Sequence, residues 1–249
     1  MHPSALTARI LSIALLAFPL AATAQAAFDV ASIRPTSEHV QFESNGTTEA
    51  AHGTLKMHDV TVATCIHWAY GTPLPLIHGP ESLKQVHYDI LAKSAPDTTE
   101  AQMRLMLRTL LTERFKFAFH SEKAELRVYT LTVAKSGIKM HPAATGTPPS
   151  HQNSHTGMAG HAMTMSELAE YLTDALGAPL TDNTGLAGRY DFIIDFTPYV
   201  DLERTNNERP DPVVVLKAAL KDELGLEIVQ NKETVDTLVV DHVEAPTAN

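Results

Sequence analysis

The densest polar chemistry in the chain lies in two neighbouring phrases, Asp182-Asn183-Thr184-Gly185 and Gly188-Arg189-Tyr190-Asp191. A carboxylate, a hydroxyl and a guanidinium this close can hold a polar partner, and the planar fork of Arg189 suits a carboxylate. The same residues also suit a tight turn. Asp182 or Thr184 can accept from backbone N–H groups, and Gly185 and Gly188 can take a positive φ. Both uses, partner-binding surface and structural turn, stay open for Asp182, Thr184, Gly185, Gly188, Arg189, Tyr190 and Asp191. Neither use needs catalysis.

The other reactive side chains are more dispersed. His151 and His155 are four apart, with His141 and His161 on either side. On a helix such a pair could share a metal. Here the surroundings are rich in Pro and Gly, and no Cys or carboxylate joins them, so no metal is expected. His67, beside Trp68, suits a partly exposed surface. Cys65 falls on an apolar helical face and is expected in the core rather than as a nucleophile. It is the one cysteine, so no intramolecular disulfide can form. Asp89 and Asp191 each follow a tyrosine at a strand start, which suits a structural role. The chain has no His-Glu-x-x-His, no Gly-x-Ser-x-Gly, no P-loop and no dinucleotide glycine pattern, and no cofactor is implied. A net charge of −10 without a block of Lys and Arg argues against nucleic acid or an anionic lipid surface as partner.

Four helices are expected around these residues. Val62, Cys65, Ile66, Ala69 and Tyr70 recur at helical spacing and stop at Gly71. Met103, Met106, Leu107, Leu110 and Leu111 repeat that spacing behind a Thr99/Gln102 capping box. Leu168, Tyr171, Leu172, Ala175 and Leu176 do so again, between a Thr164/Glu167 box and Gly177. The fourth helix starts with Asp211 as N-cap and Pro212 at its first position, buries Val213, Leu216, Leu220 and Leu224, and stops at Gly225. Strands are expected over residues 28–34, 86–93, 115–120, 126–134, 190–197, 226–230 and 234–243. Phe115, Phe117 and Phe119 alternate with polar residues, the pattern of a half-buried strand. The polar triplets at 121–123 and 231–233 read as hairpin turns.

Residues 57–74 and 163–180 align without a gap. Ile66 meets Leu172, Gly71 meets Gly177 and Pro73 meets Pro179. Gly79…Tyr88-Asp89-Ile90 then matches Gly185…Tyr190-Asp191-Phe192. This predicts an α+β fold of two tandem related lobes, each with two helices on a small, mainly antiparallel sheet. The first lobe would span residues 27–140 and the second 161–249, with a flexible linker over 141–160 and a solvated loop over 198–210. Strands 28–34 and 234–243 are those expected to cross between lobes. The loops at 71–80 and 177–188 hold the same place in each half, and function is expected there. At the N-terminus, Arg9, the apolar run 10–20 and Ala24-Gln25-Ala26 have the three parts of a secretory signal peptide. Cleavage is expected after Ala26, with Ala24 as the alternative. The mature chain would carry no transmembrane segment and would be periplasmic or extracellular.

Five phrases carry a resemblance to a known family. They are Phe28-Asp29-Val30-Ala31-Ser32-Ile33-Arg34-Pro35, Leu110-Leu111-Thr112-Glu113-Arg114-Phe115-Lys116, Asp182 through Phe192, Leu224-Gly225-Leu226, and Val239 through Pro246. The chain resembles the secreted "soil-associated" family with a domain of unknown function, abundant in acidobacterial genomes. That resemblance implies secretion and no established activity. Two function classes follow. The first is a non-catalytic binding or interaction module for an envelope or extracellular protein or peptide. The alternative is a secreted hydrolase with catalytic residues from scattered loops, with Asp182 and either His78 or His242 as its candidates. The missing catalytic motifs favour the first.

Overall fold

The computed structural model describes residues 26–36, 46–154, 156–200 and 211–246. Most of the expected signal peptide, His155 and most of the 198–210 loop lie outside the described residues. In chain order the strands are β1 (Val30–Pro35), β2 (Thr47–Ala51), β3 (Thr54–Thr61), β4 (Ile77–His78), β5 (His87–Lys93), β6 (Ala118–Val133), β7 (His141–Pro142), β8 (Ser150–Asn153), β9 (Gly157–Met163), β10 (Leu180–Asp182), β11 (Tyr190–Asp195) and β12 (Leu226–His242). The helices are α1 (Val62–Tyr70), α2 (Ser82–Gln85), α3 (Glu100–Arg114), α4 (Met165–Leu176) and α5 (Pro212–Ala219). The fold is α+β.

The helix ends follow from their capping residues. Thr61 Oγ1 accepts from the Thr64 amide to start α1, and Gly71 closes it at φ 69°. Thr99/Gln102 and Thr164/Glu167 both form complete capping boxes, for α3 and α4. Asp211 caps α5 with Pro212 at its first position, and a π turn, Leu220–Leu224, continues it to Gly225.

Three four-stranded sheets result. The first has the order β1-β5-β3-β2 and the second β7-β11-β9-β8, all antiparallel. The third has the order β10-β6-β12-β4, its central pair antiparallel and its two short edge strands parallel to their neighbours.

The central pair differs from the hairpins expected at 121–123 and 231–233. β6 and β12 run through both triplets as single strands of 16 and 17 residues. Lys232 lies opposite Arg127 and Lys123 opposite Asp236. Each triplet therefore keeps its backbone partners in the other strand, and no turn is needed to satisfy them. Its polarity reflects exposure in mid-ribbon. The strand expected at 115–120 begins only at Ala118, because Lys116 takes a positive φ of 52°.

Among the described residues there are two hydrophobic cores. One gathers Leu55, Ile66, Leu107, Leu111 and Phe115 with Leu238 and Val240 from the end of β12. The other gathers Leu168, Leu172, Phe192 and Leu220 with Tyr129 and Leu131 from the end of β6. Residues 234–243 thus cross to the first core as expected. Residues 28–34 do not: β1 pairs with β5 inside the first sheet.

Residues 141–160, expected as a flexible linker, hold β7, β8 and the start of β9. Small residues explain why the pattern was hard to read. Gly160 lies under Phe192, whose ring would sit 2.4 Å from any Cβ there. β8 is an edge strand exposed along its whole length, so it carries no apolar alternation. Among the described residues no helix is long and apolar enough to cross a membrane.

Candidate functional site

The Asp182 turn is tied from within. Asp182 Oδ1 accepts from the Thr184 amide at 2.9 Å and the Thr184 hydroxyl at 2.8 Å, and Thr184 Oγ1 accepts from the Leu186 amide at 3.2 Å. Asp182 Oδ2 accepts from Ser166 Oγ at 3.2 Å. Gly185 takes the expected positive φ, 71°, in open space. Gly188 does not take one. A Cβ there would lie 3.2–3.3 Å from the Tyr190 hydroxyl and ring, so a side chain would crowd the tyrosine. Tyr190 itself is buried. Arg189 turns away from Asp182: its Nη1 donates to the Ala162 carbonyl at 2.6 Å and to Glu167 Oε2 at 3.2 Å.

Arg189 belongs to a local arrangement that occurs twice. β3 and β9 each carry an irregularity where they face β5 and β11. The residue there is left-handed in both, Asp59 at φ 54° and Ala162 at φ 48°. A carboxylate receives each exposed amide: the Asp59 N–H donates to Asp89 Oδ1 at 3.0 Å, and the Ala162 N–H to Asp191 Oδ1 at 2.8 Å. The residue just before each Tyr-Asp pair holds the carbonyl. His87 Nδ1 lies 3.0 Å from the Asp59 oxygen, as Arg189 Nη1 lies 2.6 Å from that of Ala162. Burial alone would raise the Asp89 carboxyl; the Asp59 amide, the Thr36 hydroxyl and His58 outweigh it and hold the group below its usual range. Glu167 is also held low, first by the Thr164 amide, against burial, and then by the Thr164 hydroxyl and Arg189.

The two copies differ in one chemical respect. Asp59 has a carboxylate where Ala162 has a methyl group. That carboxylate is buried, and its Oδ1 lies 3.0 Å from His87 Nδ1. The Asp59 carbonyl oxygen can only accept, so Nδ1 is the donor in that hydrogen bond.

His87 lines a groove. One section, about 660 Å³, is walled by Thr61, Leu74, His78, Lys84 and His87 on one side and by Asp174 and Gly177 on the other. A second section, about 400 Å³, shares Asp174 and lies between His67, Gly71 and Pro73 and the residues Ser166, Glu170, Thr181 and Asp182. The loops at 71–80 and 177–188 therefore both contribute to it. Of the seven turn residues proposed from sequence, only Asp182 lines either section.

The candidate hydrolytic pairs fare differently. Asp182 and His78 line different sections, and His242 Nε2 sits 2.8 Å from Glu244 outside both. His67 lines the groove with Nδ1 at 2.9 Å from the Thr72 carbonyl. Cys65 is fully buried, and burial pushes its thiol up to about 12. His141, His151 and His161 stand on β7, β8 and β9, and among the described residues no group of three His, Cys, Asp or Glu could hold a metal. Sequence patterns missed Asp59, Lys84, His87, Glu170 and Asp174. One available signal was the cation before each Tyr-Asp, in His87-Tyr88-Asp89 and Arg189-Tyr190-Asp191.

Fold and site together define an α+β protein with two cores, a shared long ribbon and a polar groove. The chain belongs to the family described as "Protein of unknown function (DUF3738)", which matches residues 63–243. No curated protein and no solved structure matches it.

Proposed function

We propose that the protein is a binding module that works outside the cytoplasm and takes a polar ligand in the groove between residues 61–87 and 166–182. One observation carries this reading. Two loops at corresponding places in the chain, 71–80 and 177–188, both line one groove of a size suited to a small ligand. The signal-peptide pattern at the N-terminus supports export. The Ala26 carbonyl accepts from Thr109 Oγ1 at 2.7 Å, which supports cleavage after Ala24, since that cut keeps Ala26. The matching strand orders of the first two sheets, and the twice-used carboxylate under a left-handed residue, support an internal duplication.

Ligand-observed NMR with a fragment library tests the binding reading. Thr181→Trp places a large side chain on the groove wall. Fragments that bind the parent should lose binding to this variant. Binding that ignores the substitution would place the ligand site elsewhere.

A hydrolase is the second reading, and His87 on the groove wall, with its Nδ1 3.0 Å from Oδ1 of the buried Asp59, favours it. A histidine whose Nδ1–H is fixed by a backbone acceptor, here the Asp59 carbonyl, keeps Nε2 available as a general base. Turnover of an ester by the parent, lost in His87→Gln with folding intact, would support this reading over simple capture.

A further inference from the structure

We infer that the outer edge of β8 takes up an extended peptide as a further strand, and that a lysine side chain of this peptide enters the cleft between β8 and α4. The site lies apart from the groove, although Glu170 lines both. β8 is an outer strand of its sheet, and β9 is its one neighbour there. The Ser154 amide donates to the Gly157 carbonyl, and from that point Gln152 stands opposite Ala159 and Ser150 opposite His161. Antiparallel partners alternate between hydrogen-bonded and non-hydrogen-bonded pairs. Ser150, Gln152 and Ser154 therefore turn their backbone groups toward β9, and His151 and Asn153 turn theirs outward. Among the described residues the outward N–H and C=O groups have no partner. An added strand pairs with groups in this spacing.

Side chains of the same two residues form one wall of the cleft. Successive side chains of a strand alternate between faces, so His151 and Asn153 share one. That face meets α4. The His151 ring lies 5.0 Å from the Tyr171 ring, and the Tyr171 hydroxyl donates to Asn153 Oδ1 at 2.7 Å. A cleft of about 320 Å³ opens there between Pro149, His151, Met163, Glu167, Glu170 and Tyr171. Glu170 and Tyr171 follow Glu167 by three and four residues, which puts all three on one side of α4.

Charge selects the side chain that fits. No Lys or Arg lines the cleft. Of its two carboxylates, Glu167 is occupied, since its Oε2 accepts from the Thr164 amide at 2.7 Å and from Arg189 at 3.2 Å. Glu170 has neither a hydrogen bond nor an ion pair among the described residues. Proline, methionine and two rings supply the rest of the wall. Lysine suits such a place, because its four-carbon stem lies along apolar surface while its ammonium reaches the carboxylate. The Tyr171 ring adds a face that attracts a cation. A peptide residue paired opposite His151 shares its face of the sheet. The lysine that enters the cleft is therefore the one opposite His151.

Calorimetry on the full mature chain with the peptide acetyl-Thr-Val-Lys-Val-Thr-amide tests this. The peptide should bind. Norleucine in place of its lysine keeps the stem without the ammonium, and should weaken binding by about tenfold or more. N-methylation of the lysine amide removes a strand hydrogen bond and blocks close approach, and should weaken it as much. Glu170→Gln should weaken the lysine peptide and leave the norleucine peptide unchanged. Glu170 is exposed and unpartnered, so this variant should melt with the parent. Thr181→Trp, on the groove wall, should leave the peptide's affinity unchanged. Failure of the lysine peptide to bind would overturn the inference, as would norleucine or N-methyl forms that bind equally well. Hexylammonium binding as tightly as the peptide would overturn the strand, and loss of binding in Thr181→Trp would move the peptide to the groove. Self-association, seen by sedimentation, that excludes the peptide would give the edge to a second copy of the chain instead.

Discussion

Replacing Arg189 with Ala separates a structural from a recognition role for the 182–191 turn. The guanidinium makes two bonds, to the Ala162 carbonyl and to Glu167. Ala162 is in the left-handed region, so its carbonyl is fixed by a conformation that few side chains adopt freely. A hydrogen bond from a charged donor contributes about 1.5–3 kcal/mol when protected. The Glu167 contact is screened, because the two side chains are 44% and 38% exposed, and such a pair is worth about 0–1 kcal/mol. Removal should therefore cost about 2 kcal/mol. In a domain of this size that is a fall of roughly 4–8 °C in melting temperature. The effect should also depend on pH. Glu167 has a folded pKa below its unfolded value, so its stabilisation is complete above about pH 4.3 and is lost as pH falls through the folded pKa. Arg189 contributes to that lowering, so the gap between parent and variant should narrow in acid. Calorimetric melting at neutral pH and near pH 3 measures both effects. An unchanged melting temperature, with ligand binding lost, would refute the structural assignment of Arg189.

Other expectations can be checked on the same material. Cys65, its thiol raised by burial, should resist thiol reagents at pH 8 and react only as the chain unfolds, followed by mass spectrometry. Gly225→Ala should abolish folding or cost more than about 3 kcal/mol, because its Cβ would lie 1.9 Å from the Gly137 oxygen at φ 70°. Gly185→Ala, at nearly the same φ but in open space, should cost only about 1–2 kcal/mol, as denaturant melts would show. A fragment of residues 26–140 should give no cooperative melting transition, because Leu238 and Val240 of its core are missing. A cooperative transition in that fragment would contradict the shared ribbon.

The four longer helices were the legible part of the sequence, since each has its own cap and periodicity, whereas the single-turn α2 has no side-chain cap and went unexpected. Thr99 with Gln102 and Thr164 with Glu167 marked α3 and α4 to the residue. The gapless alignment of residues 57–74 with 163–180 succeeded at Gly71 and Gly177 and failed at the other end. α4 has three more residues than α1, so Thr164 matches Thr61 in role, and Met163 stands beside its cap while Met57 lies within β3. Strands were harder to read, because their partners are distant. Nothing local tells Ser121-Glu122-Lys123 that it lies opposite Asp236, Thr237 and Leu238. The loops that line the groove were visible from their Gly and Pro residues. Asp59 was not, because its burial depends on His87 across the sheet.

The long ribbon has a consequence for how the molecule is made. Ile77 pairs with Leu238 and Phe119 with Val240, contacts between one end of the sequence and the other. During synthesis the first core must wait, with the edge of β4 unpaired, until the last strand has left the ribosome. Such distant pairings slow folding, and an open edge can recruit a neighbouring chain in the interval. A stop codon that removes only the end of β12 would therefore damage the part of the protein that was synthesised first.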